Sequence, residues 1–203
     1  MITIAVIGRA QQNPDDVVPE AALTAAYEVG RRVAQAGAVL VSGGTTGVME
    51  AASRGAKTEG GLTIGVLPGF ERGSANAFVD IALPTGLGTA RNLIYTRGCD
   101  AVIMIGGGVG TLNELTIAYQ AGRTVVVLEG TGGWADRIRA GLIEGRFLDE
   151  RRNVAIGFAH SPAEAVDQAL YAAHAVAGEE PSSVHPEPST RATPALPEPK
   201  GEG

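Results

Sequence analysis

Two segments of this chain set glycines and hydroxyl side chains directly after short apolar runs. The first is Val39-Leu40-Val41-Ser42-Gly43-Gly44-Thr45-Thr46-Gly47-Val48-Met49-Glu50, and the second is Val102-Ile103-Met104-Ile105-Gly106-Gly107-Gly108-Val109-Gly110-Thr111-Leu112-Asn113-Glu114. A β-branched run that stops at glycines and resumes with helical periodicity reads as strand, loop and helix. The N–H groups that open such a helix lack intrahelical acceptors, and the helix dipole favours an anion there. Glycine leaves no side chain between the backbone and a ligand. The expected phosphate-binding set is Gly8, Ser42, Gly43, Gly44, Thr45 and Gly47 with Gly107, Gly108, Gly110 and Thr111.

Neither loop continues into Gly-Lys-Ser/Thr, which excludes the P-loop of nucleotide hydrolases. A dinucleotide fingerprint fits poorly. Gly108-Val109-Gly110 could begin one, but its third glycine position is Asn113, and Glu129 would have to serve as the ribose-binding acid.

Two charged residues stand near these loops in the sequence. Arg91 falls in the first turn of an expected helix after Thr85-Gly86-Leu87-Gly88-Thr89-Ala90, where a cation opposes the helix dipole unless an anion is bound. Glu114 follows the second glycine loop by one helical turn. An acid and an arginine facing an anion pocket suit N-glycosidic cleavage: the acid activates water or stabilises an oxocarbenium-like transition state while the arginine orients phosphate. Arg91 and Glu114 are therefore the catalytic candidates if the chain is a hydrolase.

Other constellations are missing. His160, His174 and His185 lie near the last expected helix or beyond it, a single cysteine gives no zinc spacing, and no Gly-x-Ser-x-Gly elbow occurs. No metal site is expected. Asp80 reads as a solvated loop acid.

The elements that must position these residues follow from periodicity. Strands are expected over 2–7, 38–42, 62–67, 79–83, 101–105, 124–128 and 153–157. Helices are expected over 46–59, 89–98, 110–121, 133–144 and 162–177. A further helix precedes them, where Leu23, Ala26, Tyr27, Gly30, Val33 and Ala34 form one stripe. Gly37, Gly60 and Gly122 suit helix C-termini, and Ser161-Pro162 with Glu164 suits an N-terminus. Strands alternating with helices imply a single doubly wound, Rossmann-like α/β domain, a mainly parallel sheet of about seven strands with helices on both faces. Ligands of such sheets lie beyond the carboxyl ends of the strands.

Of the 203 residues 44% are hydrophobic, enough for one core. The stretch from Gly178 holds six of the eleven prolines, so the domain is expected over 1–177 with a disordered, acidic, proline-rich tail over 178–203. A net charge of −6 offers no general attraction to nucleic acid. No run approaches the length of a membrane helix, and no signal segment is expected before the strand Ile2–Ile7. One cysteine, Cys99, fits a cytoplasmic setting.

Ser42–Glu50 and Gly107–Glu114 resemble the paired motifs of the superfamily long labelled "lysine decarboxylase", whose best-known enzymes are the LONELY GUY cytokinin-activating phosphoribohydrolases. The resemblance spans about residues 1–160. It implies cleavage of the N-glycosidic bond of a nucleoside 5′-monophosphate, with Arg91 and Glu114 in the catalytic positions. Three positions depart from the hydrolase pattern: Gly106 stands for its proline, Asn113 for its paired acid, and Asn92 for the lysine after its arginine. The segments Gly65-Val66-Leu67-Pro68-Gly69, Val79–Asn92 and Ile105–Gly108 are similar to the molybdenum-cofactor carrier branch. That similarity implies binding of a phosphate-bearing pterin without turnover. The expected ligand set also takes in Arg91, Asn92 and Glu114. The expected function is binding of a phosphorylated heterocycle as a carrier, the molybdopterin cofactor being the cargo and no catalytic cofactor being required. A phosphoribohydrolase is the alternative, and a nucleotide-sensing module without turnover the third. The resemblance also implies a homodimer or higher oligomer.

Overall fold

In chain order the computed structural model contains β1 (Thr3–Gly8), α1 (Glu20–Gln35), β2 (Val39–Ser42), α2 (Val48–Thr58), β3 (Thr63–Leu67), β4 (Ile81–Pro84), α3 (Asn92–Gly98), β5 (Ala101–Ile105), α4 (Val109–Gln120), β6 (Thr124–Leu128), β7 (Gly157–Ala159) and α5 (Pro162–Ala177). Residues 1–11, 13 and 15–177 are described, and the tail expected over 178–203 lies outside them. The strands form one sheet in the order β4-β3-β2-β1-β5-β6-β7. Every pairing is parallel, so the doubly wound α/β fold is found with a sheet that is parallel throughout.

Successive strand residues point to opposite faces, which divides the apolar runs between two cores. Ile4, Val6, Ile103, Ile105, Val126 and Leu128 meet α1, α2 and α5 through Ala22, Val29, Val33, Ala52, Ala56, Ala165 and Ala169. Ala5, Ile7, Val102, Met104, Val125 and Val127 meet α3 and α4 through Tyr95, Leu115, Ala118 and Tyr119. Burial on both faces explains why the strands read as continuous apolar runs. The α1 stripe includes Gly30 because α1 and α2 touch backbone to backbone there. A Cβ on Gly30 would strike the carbonyl of Ala52, and one on Gly55 that of Tyr27.

The predicted helix ends are found. Ala38 N–H reaches the Val33 carbonyl at 3.1 Å around Gly37, and the same closure recurs at Gly60 and Gly122. Ser161 Oγ accepts from Glu164 N–H at 3.2 Å, while the Glu164 carboxylate accepts from His160 N–H at 2.8 Å.

Three expectations are corrected. The helix expected over 133–144 is absent, and only a 3₁₀ turn, Ile138–Gly141, forms there. Its backbone is engaged elsewhere: Trp134 and Ala135 N–H bond the carbonyls of Gly107 and Gly106, and Asp136 accepts from Gly130 and Gly132 N–H. The strand expected over 153–157 is displaced to Gly157–Ala159, because pairing with β6 begins at Gly157 while Ile156 N–H is taken by the Arg146 carbonyl at 2.8 Å. β4 starts at Ile81, not residue 79, since Val79 N–H closes a turn onto Asn76.

Strand order reverses between β1 and β5, whose neighbours lead off in opposite directions. Loops after β1, β2, β3, β4 and β5 all leave from the same carboxyl edge, the place where ligands of open parallel sheets bind.

Candidate functional site

Both glycine loops lie on this rim, yet their geometry differs. The first is occupied from within the protein. Ser42 Oγ accepts from Gly44 N–H at 3.0 Å, and Asn76 Nδ2 donates to the Thr45 carbonyl at 2.8 Å. The opening N–H of α2, that of Val48, bonds the Arg9 carbonyl, and Thr46 Oγ1 bonds Gln11. Gly8, Ser42, Gly43, Gly44 and Gly47 are buried, with Thr45 half-buried. Gly44 has φ +71°, and a Cβ there would lie 2.7 Å from Gly65 Cα.

The second loop opens outward. Gly108 caps α4 without a side-chain bond to its N–H groups. A Cβ on Gly108 or Gly110 would meet nothing within 4 Å, and Val109 between them is 78% exposed. Gly107 is buried beneath them, its added Cβ meeting Thr111 at 2.6 Å. The loop is braced from below by Thr131, whose Oγ1 accepts from Gly106 N–H at 2.8 Å, and by the Gly130–Asp136 turn that replaced the expected helix. A crevice of about 50 Å³ at the β1/β5 switch is lined by Arg9, Val18, Pro19, Val48, Gly106, Gly107 and Thr131. It can hold water but is far smaller than a heterocycle requires.

Arg91 does not extend into solvent from a helix end. It lies in the 3₁₀ turn Gly88–Arg91 just before α3 and is 9% exposed, with Nη1 donating to the carbonyls of Gly43 and Val66. A Cβ on Gly43 would meet the guanidinium, so a side chain there would require Arg91 to shift. The Arg91 Cζ stands 5.7 Å from the centroid of the Tyr95 ring, within cation–π range. Tyr95 in turn donates its hydroxyl to Oε1 of Glu114. The structure thus joins the two sequence-predicted residues through a third, forming a buried row Arg91–Tyr95–Glu114. Burial raises the Glu114 carboxyl to about 7, although the Tyr95 hydroxyl and the Arg91 charge both act to lower it. Burial and the neighbouring Glu114 push the Tyr95 hydroxyl well above its ordinary range.

Asn92 and Asn113, the two polar departures from the hydrolase motif, stand together. Asn92 Nδ2 donates to Asn113 Oδ1 at 3.0 Å. Two amides therefore satisfy one another where the motif would place opposite charges.

Sequence reasoning missed Tyr95. The signal was its spacing: it follows Arg91 by four residues, one turn on the same helical face. It also missed Asn76, Thr131 and the Gly132–Ala135 brace, whose partners are distant in sequence. Other candidates serve the scaffold. Glu129 is held by Arg139 through two 2.9 Å bonds, Arg139 stacks 3.8 Å from the Phe158 ring, and His160 Nδ1 lies 3.6 Å from Glu129. Asp80, at the start of β4, accepts from Thr63 N–H and Lys57. His174 lies on α5, and His185 lies outside the described residues. Burial raises the Cys99 thiol to about 12. Among the described residues no group of three or more His, Cys, Asp and Glu could hold a metal ion, and no helix is long and apolar enough to cross a membrane.

Comparison with known proteins gives the chain's relatives. The molybdenum cofactor binding protein of Rippkaea orientalis is 36% identical, with a TM-score of 0.67, over 80% of this chain and 91% of that one. The molybdenum cofactor carrier protein of Chlamydomonas reinhardtii is 34% identical, with a TM-score of 0.67, over 83% of this chain and 98% of that one. A cytokinin riboside 5′-monophosphate phosphoribohydrolase of Mycobacterium marinum is 34% identical over 131 residues, 60% of this chain and 70% of the relative. The model of the SLOG cluster4 family matches residues 1–166, and this chain belongs to that LONELY GUY-like family.

Proposed function

We propose that the chain binds a phosphorylated heterocycle on the strand-end rim and holds it without turnover, as a molybdenum-cofactor carrier does. The observation that carries this reading is the N-terminus of α4: glycine-capped, open to solvent at Gly108 and Gly110, and followed one turn later by Glu114. Phosphate would take the free N–H groups, and the heterocycle would extend along the rim toward Arg91. Nη2 and Nε of Arg91 make no hydrogen bond among the described residues, so they remain for the ligand. Gly8, Ser42, Gly43, Gly44, Thr45 and Gly47 would shape the rim from beneath, and Asn92, Gly107 and Thr111 would support the open loop. The names of the Rippkaea and Chlamydomonas proteins, and the neutral Asn92–Asn113 pair, favour the molybdopterin cofactor as cargo.

One observation favours a second reading, the phosphoribohydrolase. A carboxyl near 7 beside an arginine is poised for proton transfer at neutral pH. Incubation with AMP and assay for free adenine separates the two. A carrier retains AMP or the pterin intact, whereas release of adenine that vanishes in Glu114→Gln would establish the hydrolase.

Self-association belongs to the same proposal. Leu87, Leu93 and Ile94 are each 45–52% exposed around the start of α3, beside the site. Light scattering should give at least twice the 20.7 kDa chain mass, and a monomer at micromolar concentration would refute this part.

A further inference from the structure

We propose that Tyr95 is the positioning residue for Glu114: its hydroxyl fixes Oε1 in the seam between α3 and α4 and so directs Oε2 to the rim. The inference rests on the phosphorylated-ligand reading for what Oε2 would meet there, but its geometry stands independently. Tyr95 is 2% exposed and Glu114 6%, so the bond between them is buried. Oε1 is committed to the Tyr95 hydroxyl. Oε2 accepts no hydrogen bond among the described residues. Among the described residues the partnerless side-chain atoms sealed from solvent are Ser53 Oγ and Gln168 Oε1, so Glu114 Oε2, also without a partner, is not sealed.

The groups that act on Glu114 are few. Tyr95 comes from α3 and Arg91 from the turn before it. The strands packed against α4 are β1, β5 and β6, and none carries an ionisable side chain. Asn92 and Asn113 beside them are uncharged and paired. Cys99, at the end of α3, acts on Tyr95 and not on Glu114. Within α4, Tyr119 turns its hydroxyl toward Asp149, 3.5 Å away. Tyr95 is therefore the one hydrogen-bond donor to the carboxylate among the described residues, and removing it should change how Glu114 titrates.

The test is carbon-13 NMR of protein labelled at glutamate side-chain carboxyls, without ligand, with Glu114→Gln used to assign the resonance. Tyr95→Phe keeps the ring and deletes the hydroxyl, and Tyr119→Phe is the matched control. The Glu114 midpoint should rise by about half a unit or more in Tyr95→Phe and stay unchanged in Tyr119→Phe. Equal midpoints in wild type and Tyr95→Phe, or equal shifts in both variants, would overturn the proposal. Should Tyr95→Phe fold poorly, wild type decides: a downfield Tyr95 hydroxyl proton should move upfield in Glu114→Gln, and an unmoved proton overturns the assignment. Failure of the ligand reading has a different signature, the absence of AMP and molybdopterin binding by wild type at any pH.

Discussion

The guanidinium of Arg91 closes onto the carbonyl of Gly43, tying the turn before α3 to the glycine loop after β2 across 48 residues of sequence. A second bond from the same nitrogen reaches the end of β3 at Val66. Arg91 thus holds three neighbouring segments of the rim in one geometry, whatever it also does for a ligand.

Arg91→Ala should therefore destabilise the fold. It would strand two carbonyls and open space beside Gly43, at a cost of about 3 kcal/mol given charge-assisted bonds to buried acceptors. Arg91→Lys should recover part of that. Urea unfolding at neutral pH measures both, and a loss below about 1 kcal/mol in Arg91→Ala would show that the carbonyl contacts contribute little.

Gly44→Val and Gly108→Val should separate folding from binding. Gly44 has a left-handed φ of +71° and backbone 2.7 Å from any added Cβ, so valine there should cost about 2–3 kcal/mol or more and lower the melting temperature by many degrees. Gly108 faces open space, and its variant should melt within a few degrees of wild type. Equal melting temperatures for the two variants would refute this division of the loops.

Stability should fall with rising pH through the titration of Glu114. Its carboxyl lies at about 7 in the folded chain against an ordinary 4.5, so between those values the folded state keeps a proton that the unfolded chain has released. The contribution is full below pH 4.5, erodes as pH rises through 7 and is constant above. The span is on the order of 3 kcal/mol. Glu114→Gln should remove that slope, so the difference in unfolding free energy between pH 5 and pH 8 should be smaller in the variant. The same difference in both proteins would mean that Glu114 does not titrate there.

Much of the fold was legible because the sheet is buried on both faces. Runs such as Val102–Ile105 and Val125–Leu128 admit few other readings, and Gly37, Gly60 and Gly122 mark helix ends by backbone conformation alone. The segment 133–144 misled because its helical composition is overruled by tertiary bonds from Trp134 and Ala135 to the glycine loop. At the candidate site, type and spacing single out Arg91 and Glu114, which the fold brings together through Tyr95. Sequence could not foresee that Arg91 turns inward, because its acceptors, Gly43 and Val66, are carbonyls 48 and 25 residues away. Main-chain acceptors have no residue signature. The similarity of the two glycine loops likewise concealed that Arg9, Asn76 and Arg91 fill the surroundings of the first.

The most direct test of the account is calorimetric titration of wild type and Gly108→Val with molybdopterin cofactor and with AMP. The account predicts saturable binding of at least one of them by wild type, and loss of at least about tenfold in affinity, roughly 1.4 kcal/mol, in a Gly108→Val protein that remains folded. No binding of either ligand by wild type, or undiminished affinity in Gly108→Val, would contradict it.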